Sequence, residues 1–427
     1  MAHQHANPLG TELPDGWRVR PLGDICTKIG SGATPRGGSS VYRSSGVSFI
    51  RSQNVFDHKF SRTGLVFIGE EDADRLSGVE VRPRDVLLNI TGDGDTIARC
   101  CVVSPEVLPA RVNQHVVIIR PNTSAIPEYL QRYLSLPRIR EYMLGHNSGG
   151  SRRALTKAHI EGFEIVLPQL GVQQAIADLL GALDDKITVN ERIAEASLAL
   201  SGHLHQVLVR KTADQSSPTT FAQLAIDNQL AFGDGYRTKR SEHGTPGLPI
   251  LRVAEVGDGD IKPAFADYVR NEFRSAMGEK VSQAGDVVLT TKGTVGRVAL
   301  IAPTHPQFIY SPQVCFFRVR PSSRVSQYYL FHWFRGTEFW RQANGLKGQT
   351  DMADYLSLRD VKSLRITVPS REALAEFDES CSALTARTEA ARNENRTLTT
   401  LRDTLLPQLV TGKLRIKDAE RAVEDAV

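Results

Sequence analysis

Two short stretches of the chain carry side chains suited to reading the edges of base pairs. Lys28, Thr34, Arg36, Arg43, Arg51, Gln53 and Asn54 gather around the run Gly30-Ser31-Gly32-Ala33-Thr34-Pro35, and Tyr236, Arg237, Lys239, Arg240 and Arg252 gather around Gly233 and Gly235. An arginine can bracket guanine O6 and N7 in the major groove, while glutamine or asparagine can pair with adenine N6 and N7. Two further stretches have the composition of a phosphate grip. Residues 142–157 hold Arg152, Arg153 and Lys157 without an acidic residue, and residues 341–350 hold Arg341 and Lys347, again without one. Phosphate contacts position a protein on a duplex and make binding salt-dependent, but they carry no sequence information themselves. Lys292 and Arg297, around a glycine-bearing turn, complete the candidate set.

Patterns that would make or break covalent bonds are missing. There is no GxxxxGK[ST] loop, HExxH pair or GxSxG elbow, and no Asn-Pro-Pro-aromatic or Asp-Pro-Pro-aromatic run of the kind adenine methyltransferases use. Thr91-Gly92-Asp93-Gly94-Asp95 lacks the third glycine and the βαβ setting of a dinucleotide loop, and reads as a turn. Asp85 and Asp286 could serve a nuclease only with further acids and a lysine around Mg²⁺. Their settings, Arg82-Pro83-Arg84-Asp85 and Gln283-Ala284-Gly285-Asp286, predict instead a turn entering a buried strand. His3 and His5 have no third ligand nearby, so no metal site is expected. The five cysteines, Cys26, Cys100, Cys101, Cys315 and Cys381, form no CxxC pair and fit a reducing compartment. Residues 1–20 lack the apolar core of an export signal and no run approaches 18 apolar residues, so a cytoplasmic location is expected.

The candidate residues fall in two halves that repeat one another. Arg84-Asp85-Val86-Leu87-Leu88-Asn89 matches Gly285-Asp286-Val287-Val288-Leu289-Thr290, and Asn113 to Pro121 is echoed by Pro312 to Pro321. Leu155 to Pro168 corresponds to Leu356 to Pro369, and both Asp85 to Asp286 and Pro168 to Pro369 are 201 positions apart. Short β-branched runs between Gly, Pro, Asp and Asn turns predict a mixed, curled sheet in each half. Tyr129, Tyr133 and Tyr142, like Tyr328, Phe331 and Phe334, recur near helical spacing and read as core rather than as base-stacking platforms.

A long helix follows each half. Ile176, Leu180, Leu183 and Ile187 step by 4-3-4 within a proline-free stretch from Val172 to about Arg210. A second stripe runs through Leu374, Phe377, Cys381, Leu384, Thr388, Ala391, Asn395, Leu398, Arg402 and Leu405. Two such seams are best buried against one another, which predicts an antiparallel pair in which the polar positions select register. The expected organisation is a flexible tail over 1–12, a globular domain over 13–168, a central helix over 169–210 and a linker over 211–217. A second globular domain over 218–369, a helix and its tail over 370–415, and a terminal tail over 416–427 follow. The fold class is α+β, with two mixed α/β domains, two long antiparallel coiled-coil helices and internal pseudo-twofold symmetry.

The residues now assembled resemble the specificity subunit of a type I restriction-modification enzyme. The resemblance is carried by Leu13-Pro14-Asp15-Gly16-Trp17, Gly30 to Pro35, the exit Ile165-Val166-Leu167-Pro168 with Gln173-Gln174-Ala175-Ile176, and above all Leu405-Leu406-Pro407-Gln408-Leu409-Val410-Thr411-Gly412-Lys413-Leu414-Arg415. It covers nearly all of residues 13–415. It implies a noncatalytic subunit whose two target-recognition domains each read half of a split, asymmetric site in double-stranded DNA, while the helices measure the spacer and dock two methyltransferase subunits. Two restriction subunits would join that core. No cofactor would be bound by this chain: S-adenosylmethionine belongs to the methyltransferase partner, and ATP and Mg²⁺ to the restriction partner. The second half departs from the pattern, since Ala231 to Tyr236 stands where the first has Gly30 to Pro35, and its helix lacks the Gln-Gln-Ala-Ile entry.

With 427 residues, 41% hydrophobic and 23% charged, the chain has material for several cores, and its net charge of +4 neither demands nor excludes a polyanionic partner. A self-contained DNA-modifying enzyme and a structural adaptor are the competing function classes.

Overall fold

The computed structural model describes residues 7–92, 96–145, 154–213, 217–262, 264–346, 348–349 and 354–426. His3, His5, Arg152, Arg153 and Lys347 lie outside the described residues, as do residues 146–153, the middle of the first acid-free run. The chain divides into two compact units, Met1–Thr188 with Glu394–Val427, and Val189–Asn393.

In the first unit a four-stranded antiparallel sheet runs in the order Cys26–Ser31, Val116–Pro121, Val86–Asn89, Cys100–Val102. Successive side chains of a strand point to opposite faces, and here both faces are covered. Val86, Leu88, Val117 and Ile119 join the core under the helices, while Leu87, Val116 and Ile118 join a second core. That is why these strands read as unbroken apolar runs rather than as alternating ones. The second core is shared with a smaller sheet of Val66–Ile68, Val47–Ile50, Ala110–Val112 and Glu80–Val81. Arg18–Pro21 pairs with Glu164–Leu167, which leads the chain out into the first long helix.

The second unit repeats the arrangement. Its four strands, Leu230–Asp234, Val314–Val319, Val287–Thr290 and Val298–Leu300, stand in the same order and are likewise antiparallel. Val287, Leu289 and Phe317 face one core while Val288, Val314 and Phe316 face the other. A three-stranded sheet of Tyr268–Arg270, Gly247–Leu251 and Ile309–Tyr310 completes it. The aromatic stretches are core, as their spacing predicts: Tyr129, Tyr133 and Phe334 are fully buried and Phe331 nearly so. Tyr129 and Tyr329 each donate a hydroxyl hydrogen bond to the exit strand, to Val166 O (2.7 Å) and Thr367 O (2.5 Å).

The long helices are Leu170–Lys211 and Arg371–Val410, roughly 60 Å each at 1.5 Å per residue. Each unit contains a portion of both. In the first, Ile176, Leu180 and Leu183 share a core with Leu398 and Leu405, and Ile187 packs at its edge. Asp184 bonds Arg402, Lys186 pairs with Glu394, and Asn395 donates to Ile187 O (3.1 Å), so numbers rise on one helix as they fall on the other. In the second unit Leu208 packs with Leu374 and Phe377, while Leu384 is half-buried. Among the described residues no helix is long and apolar enough to cross a membrane.

The described parts of the expected tails, from Asn7 and as far as Ala426, are ordered against the first core. Leu9 is 2% exposed, anchored because Asn7 accepts from its backbone N–H and Arg138 donates to Pro8 O. Ile416–Glu424 is a helix, with Ala419 fully buried and Ile416 and Val423 packed on the first core. Three apolar residues suffice there because the core already waits for them. The sequence tags are joints of this end of the molecule. Gly412, at φ +70°, closes the second long helix, and a Cβ there would run into Pro14 and Trp17. The residue must be glycine both for its backbone and for its neighbour. Gln173 is 1% exposed, accepts from Ile126 N and donates to Ser124 O and Pro168 O. The second unit has Leu374 in its place and instead ties the helix with Ser326 Oγ donating to Asp378 (2.5 Å).

Candidate nucleic-acid interface

The two aspartates first separate scaffold from site. Asp85 accepts from Arg82 N (2.7 Å) in its own turn and takes both Nε and a terminal nitrogen of Arg120 (2.7 and 2.8 Å) from the neighbouring strand. Asp286 accepts from Gln283 N (2.9 Å), from Arg318 in the same bidentate way (2.7 and 2.7 Å), and from the Tyr310 hydroxyl (2.5 Å). Both carboxylates are saturated and almost fully buried. They are clamps between turn and sheet, each carboxylate already neutralised by a bidentate guanidinium.

Around the first clamp, Lys28 projects from Cys26–Ser31 and donates to Gly78 O (2.6 Å), its pKa lowered by burial and by nearby Arg120. Thr34 donates its hydroxyl to the Gln114 side chain. Arg36 and Arg43 are exposed. Arg51 and exposed Gln53 converge on one carbonyl, Gly64 O (2.6 and 3.3 Å), and the Arg51 guanidinium lies 5.4 Å from the centre of the Tyr42 ring. Asn54 does not join them. It is fully buried, accepts from Arg51 N and donates to Ser61 O and Thr63 O, which fixes the turn that presents its two neighbours. Lys157 opens the short helix Lys157–Glu161 and pairs with Glu161 (3.4 Å).

In the second unit Arg237 and Lys292 line one recess of about 250 Å³ with Asp234, Thr291 and Tyr355. Tyr236 is half-buried against Leu248, Ile250 and Met277, so its ring serves packing. Lys239 and Arg240 are exposed around a single-turn helix held by Glu242, which accepts from Lys239 N. Arg252 holds Asp267 with two nitrogens (3.0 and 2.5 Å) at a half-open position. Arg297 is half-buried and donates to Val253 O and Val256 O. Arg341 is exposed on Thr337–Leu346.

Gly235 answers the question raised by the missing second glycine run. A Cβ on Gly32 would overlap the Val112 and Asn113 carbonyls, and one on Gly235 would overlap those of Tyr310 and Ser311. Gly32 donates to Val116 O, and the residue after each glycine donates to the partner strand, Ala33 N to Val112 O and Tyr236 N to Tyr310 O. The two loops are one device built from different sequences.

Gln114 is the exposed side chain that residue types alone passed over. It meets Thr34 and lies beside His115, whose other ring nitrogen contacts Thr91 Oγ1 (2.7 Å). The available signal was its recurrence as Gln313 at the same place in the second half. The arrangement as a whole offers exposed cations, amides and hydroxyls on short loops over rigid sheets, which suits hydrogen bonding to phosphates and base edges. Nucleophilic chemistry finds no support among the thiols. Burial pushes Cys26, Cys101 and Cys381 up to about 12, and Cys100 and Cys315 upward as well. No cluster of metal-ligating side chains occurs among the described residues.

Comparison with known proteins gives a consistent result. Residues 14–196 match the family described as the type I restriction modification DNA specificity domain. A putative type I restriction enzyme MjaX specificity subunit of Methanocaldococcus jannaschii is 21% identical, with 95% of each chain covered. The type I restriction enzyme HindI specificity subunit of Haemophilus influenzae is 22% identical over 93% of this chain and 99% of that one. The crystal structure of a type I restriction-modification S subunit from M. genitalium has the same fold, with a TM-score of 0.60 at 13% identity over 93% of this chain and 98% of that one.

Proposed function

Since residues 14–196 belong to the type I restriction modification DNA specificity domain family and the whole chain is similar to specificity subunits, we propose that it is the noncatalytic sequence-reading subunit of a type I restriction-modification complex. It recognises a bipartite, asymmetric site in duplex DNA, one half with the globular part within residues 13–168 and the other with that within 218–369. It directs adenine-N6 methylation by two methyltransferase subunits, which supply S-adenosylmethionine and the pocket that receives the flipped base. Two restriction subunits, bringing ATP and Mg²⁺, add cleavage.

The observation that supports this most is the repeated lobe: one sheet order, one Asp–Arg clamp and one glycine approach, each built twice, with different side chains on the loops between. A repeated scaffold with divergent loops suits two half-sites of different sequence. Methylation of the genome compared with and without the gene tests it. Adenine methylation is expected to vanish at one split motif and persist elsewhere. No change at any split motif, in cells that make the complex, would refute the assignment. Exchange of residues 13–168 for another recognition lobe is expected to change one half of the motif only, whereas an adaptor would leave the motif intact.

A further inference from the structure

Arg132, Asp184 and Arg402 meet in the first unit and tie its globular part to both long helices. Arg132, on Pro127–Leu134, donates to His58 Nδ1 (2.8 Å) and pairs with Asp184 on the first long helix. Asp184 also accepts from Arg402 on the second long helix (2.7 Å). The three side chains are only 8%, 21% and 17% exposed. His58 belongs to the link between Val55–Phe56 and Lys59–Phe60, a hairpin that directly follows Arg51 and Gln53, and its neighbour Asp57 pairs with Arg140 (2.5 Å). One carboxylate therefore holds two guanidiniums, one from the lobe and one from the facing helix. Burial, followed by Arg132, lowers the His58 pKa to about 4, so at neutral pH its ring accepts rather than repels.

The second unit has no such cluster at the matching positions. With Tyr129 matched to Tyr329, one residue short of the 201 offset in this helix, the repeat puts His332, Thr385 and Ser201 there, and Ser201 donates to Leu198 O in its own helix. A packed apolar cluster would stabilise the joint at least as well as a buried ion cluster, whose desolvation offsets much of its attraction. What ions add is direction: a lobe that swings by a few ångströms strands a charge, while apolar side chains slide.

We propose that the Arg132–Asp184–Arg402 cluster fixes the angle at which the first globular part stands on its helix pair, and so sets how strictly the spacer between half-sites is enforced. Asp184 is the central positioning residue. The inference rests on the function proposed above.

The test measures adenine methylation in cells on a library carrying the split motif with its spacer lengthened or shortened by one base pair, about 3.4 Å. Asp184→Asn leaves two guanidiniums without a carboxylate and perturbs folding and orientation together. The decisive variant is therefore the triple Arg132→Leu, Asp184→Leu and Arg402→Leu, which replaces the ions by apolar contacts and is expected to melt no lower than the parent. It should methylate off-length sites about threefold or more above the parent, relative to the natural spacer, with the bases of both half-sites unchanged. An unchanged spacer profile in the folded triple variant overturns the inference while leaving the functional assignment standing. Absence of any split-motif methylation by the parent chain overturns the assignment, and the inference with it.

Discussion

Asp286 is fully buried beneath Arg318 and Tyr310, whereas Asp85 faces an Arg120 that keeps 19% of its side chain exposed. Removing one partner of a buried ion pair leaves the other charged and unsolvated. Asp286→Asn is expected to cost about 3–5 kcal/mol of stability, and Asp85→Asn distinctly less, read as shifts in the denaturant midpoints of the two variants. Burial also lowers His205 to about 4 and His332 to about 3 in the second unit. Their folded forms are neutral, while the unfolded chain takes up protons below the ordinary value of about 6.5. Stability is therefore fully present above about pH 6.5 and falls as the pH drops toward 4, by roughly 1.4 kcal/mol per unit for each ring. Melting between pH 7 and 4 should show that slope, and His332→Phe should flatten it. Residue types foresaw that Asp85 and Asp286 are structural, because each opens a buried apolar strand. They could not separate Gln53 from Asn54. Adjacent amides met opposite fates, since a turn buried one against its own backbone and left the other in solvent.

At the scale of elements, the long helices were the most legible part of the chain, because a seam sustained over many turns has no other periodicity to be confused with. The smaller sheets were not legible: strands of two to five residues such as Glu80–Val81 and Ile309–Tyr310 are defined by partners far away in sequence. The likeness of the two glycine loops was hidden for a related reason, since what matters is the carbonyl each glycine faces. Gly32→Ala and Gly235→Ala should each cost about 1–3 kcal/mol, as a backbone wall cannot yield as a side chain would. Thermal unfolding of the two variants checks this. A parallel fate for both would establish that the loops are equivalent despite their sequences.

For the molecule as a whole, the duplication foreseen in the 201-residue offset appears as two sheets of identical strand order. If the proposed function holds, the paired helices measure the spacer. Adding one heptad within residues 176–201, matched in the second long helix, lengthens each by about 10.5 Å, or roughly three base pairs. The methylated motif should keep both halves and gain that spacing, and a stable variant with unchanged spacing would refute the ruler.

The two units also differ in how the chain closes them. The second is continuous, Val189–Asn393, but the first takes Leu398, Leu405, Leu409, Val410 and Ala419 into its core from the far end of the sequence. On the ribosome the second unit can finish folding while the first, although begun earlier, waits for residues 398–419 to emerge. A stop codon after Asn393 should accordingly spare the second unit from protease and expose the first. A nonsense mutation after Asn393 would thus disable the unit whose strands were made before those of the second, and a nascent chain would stay uncommitted until residues as far as Ala419 had emerged.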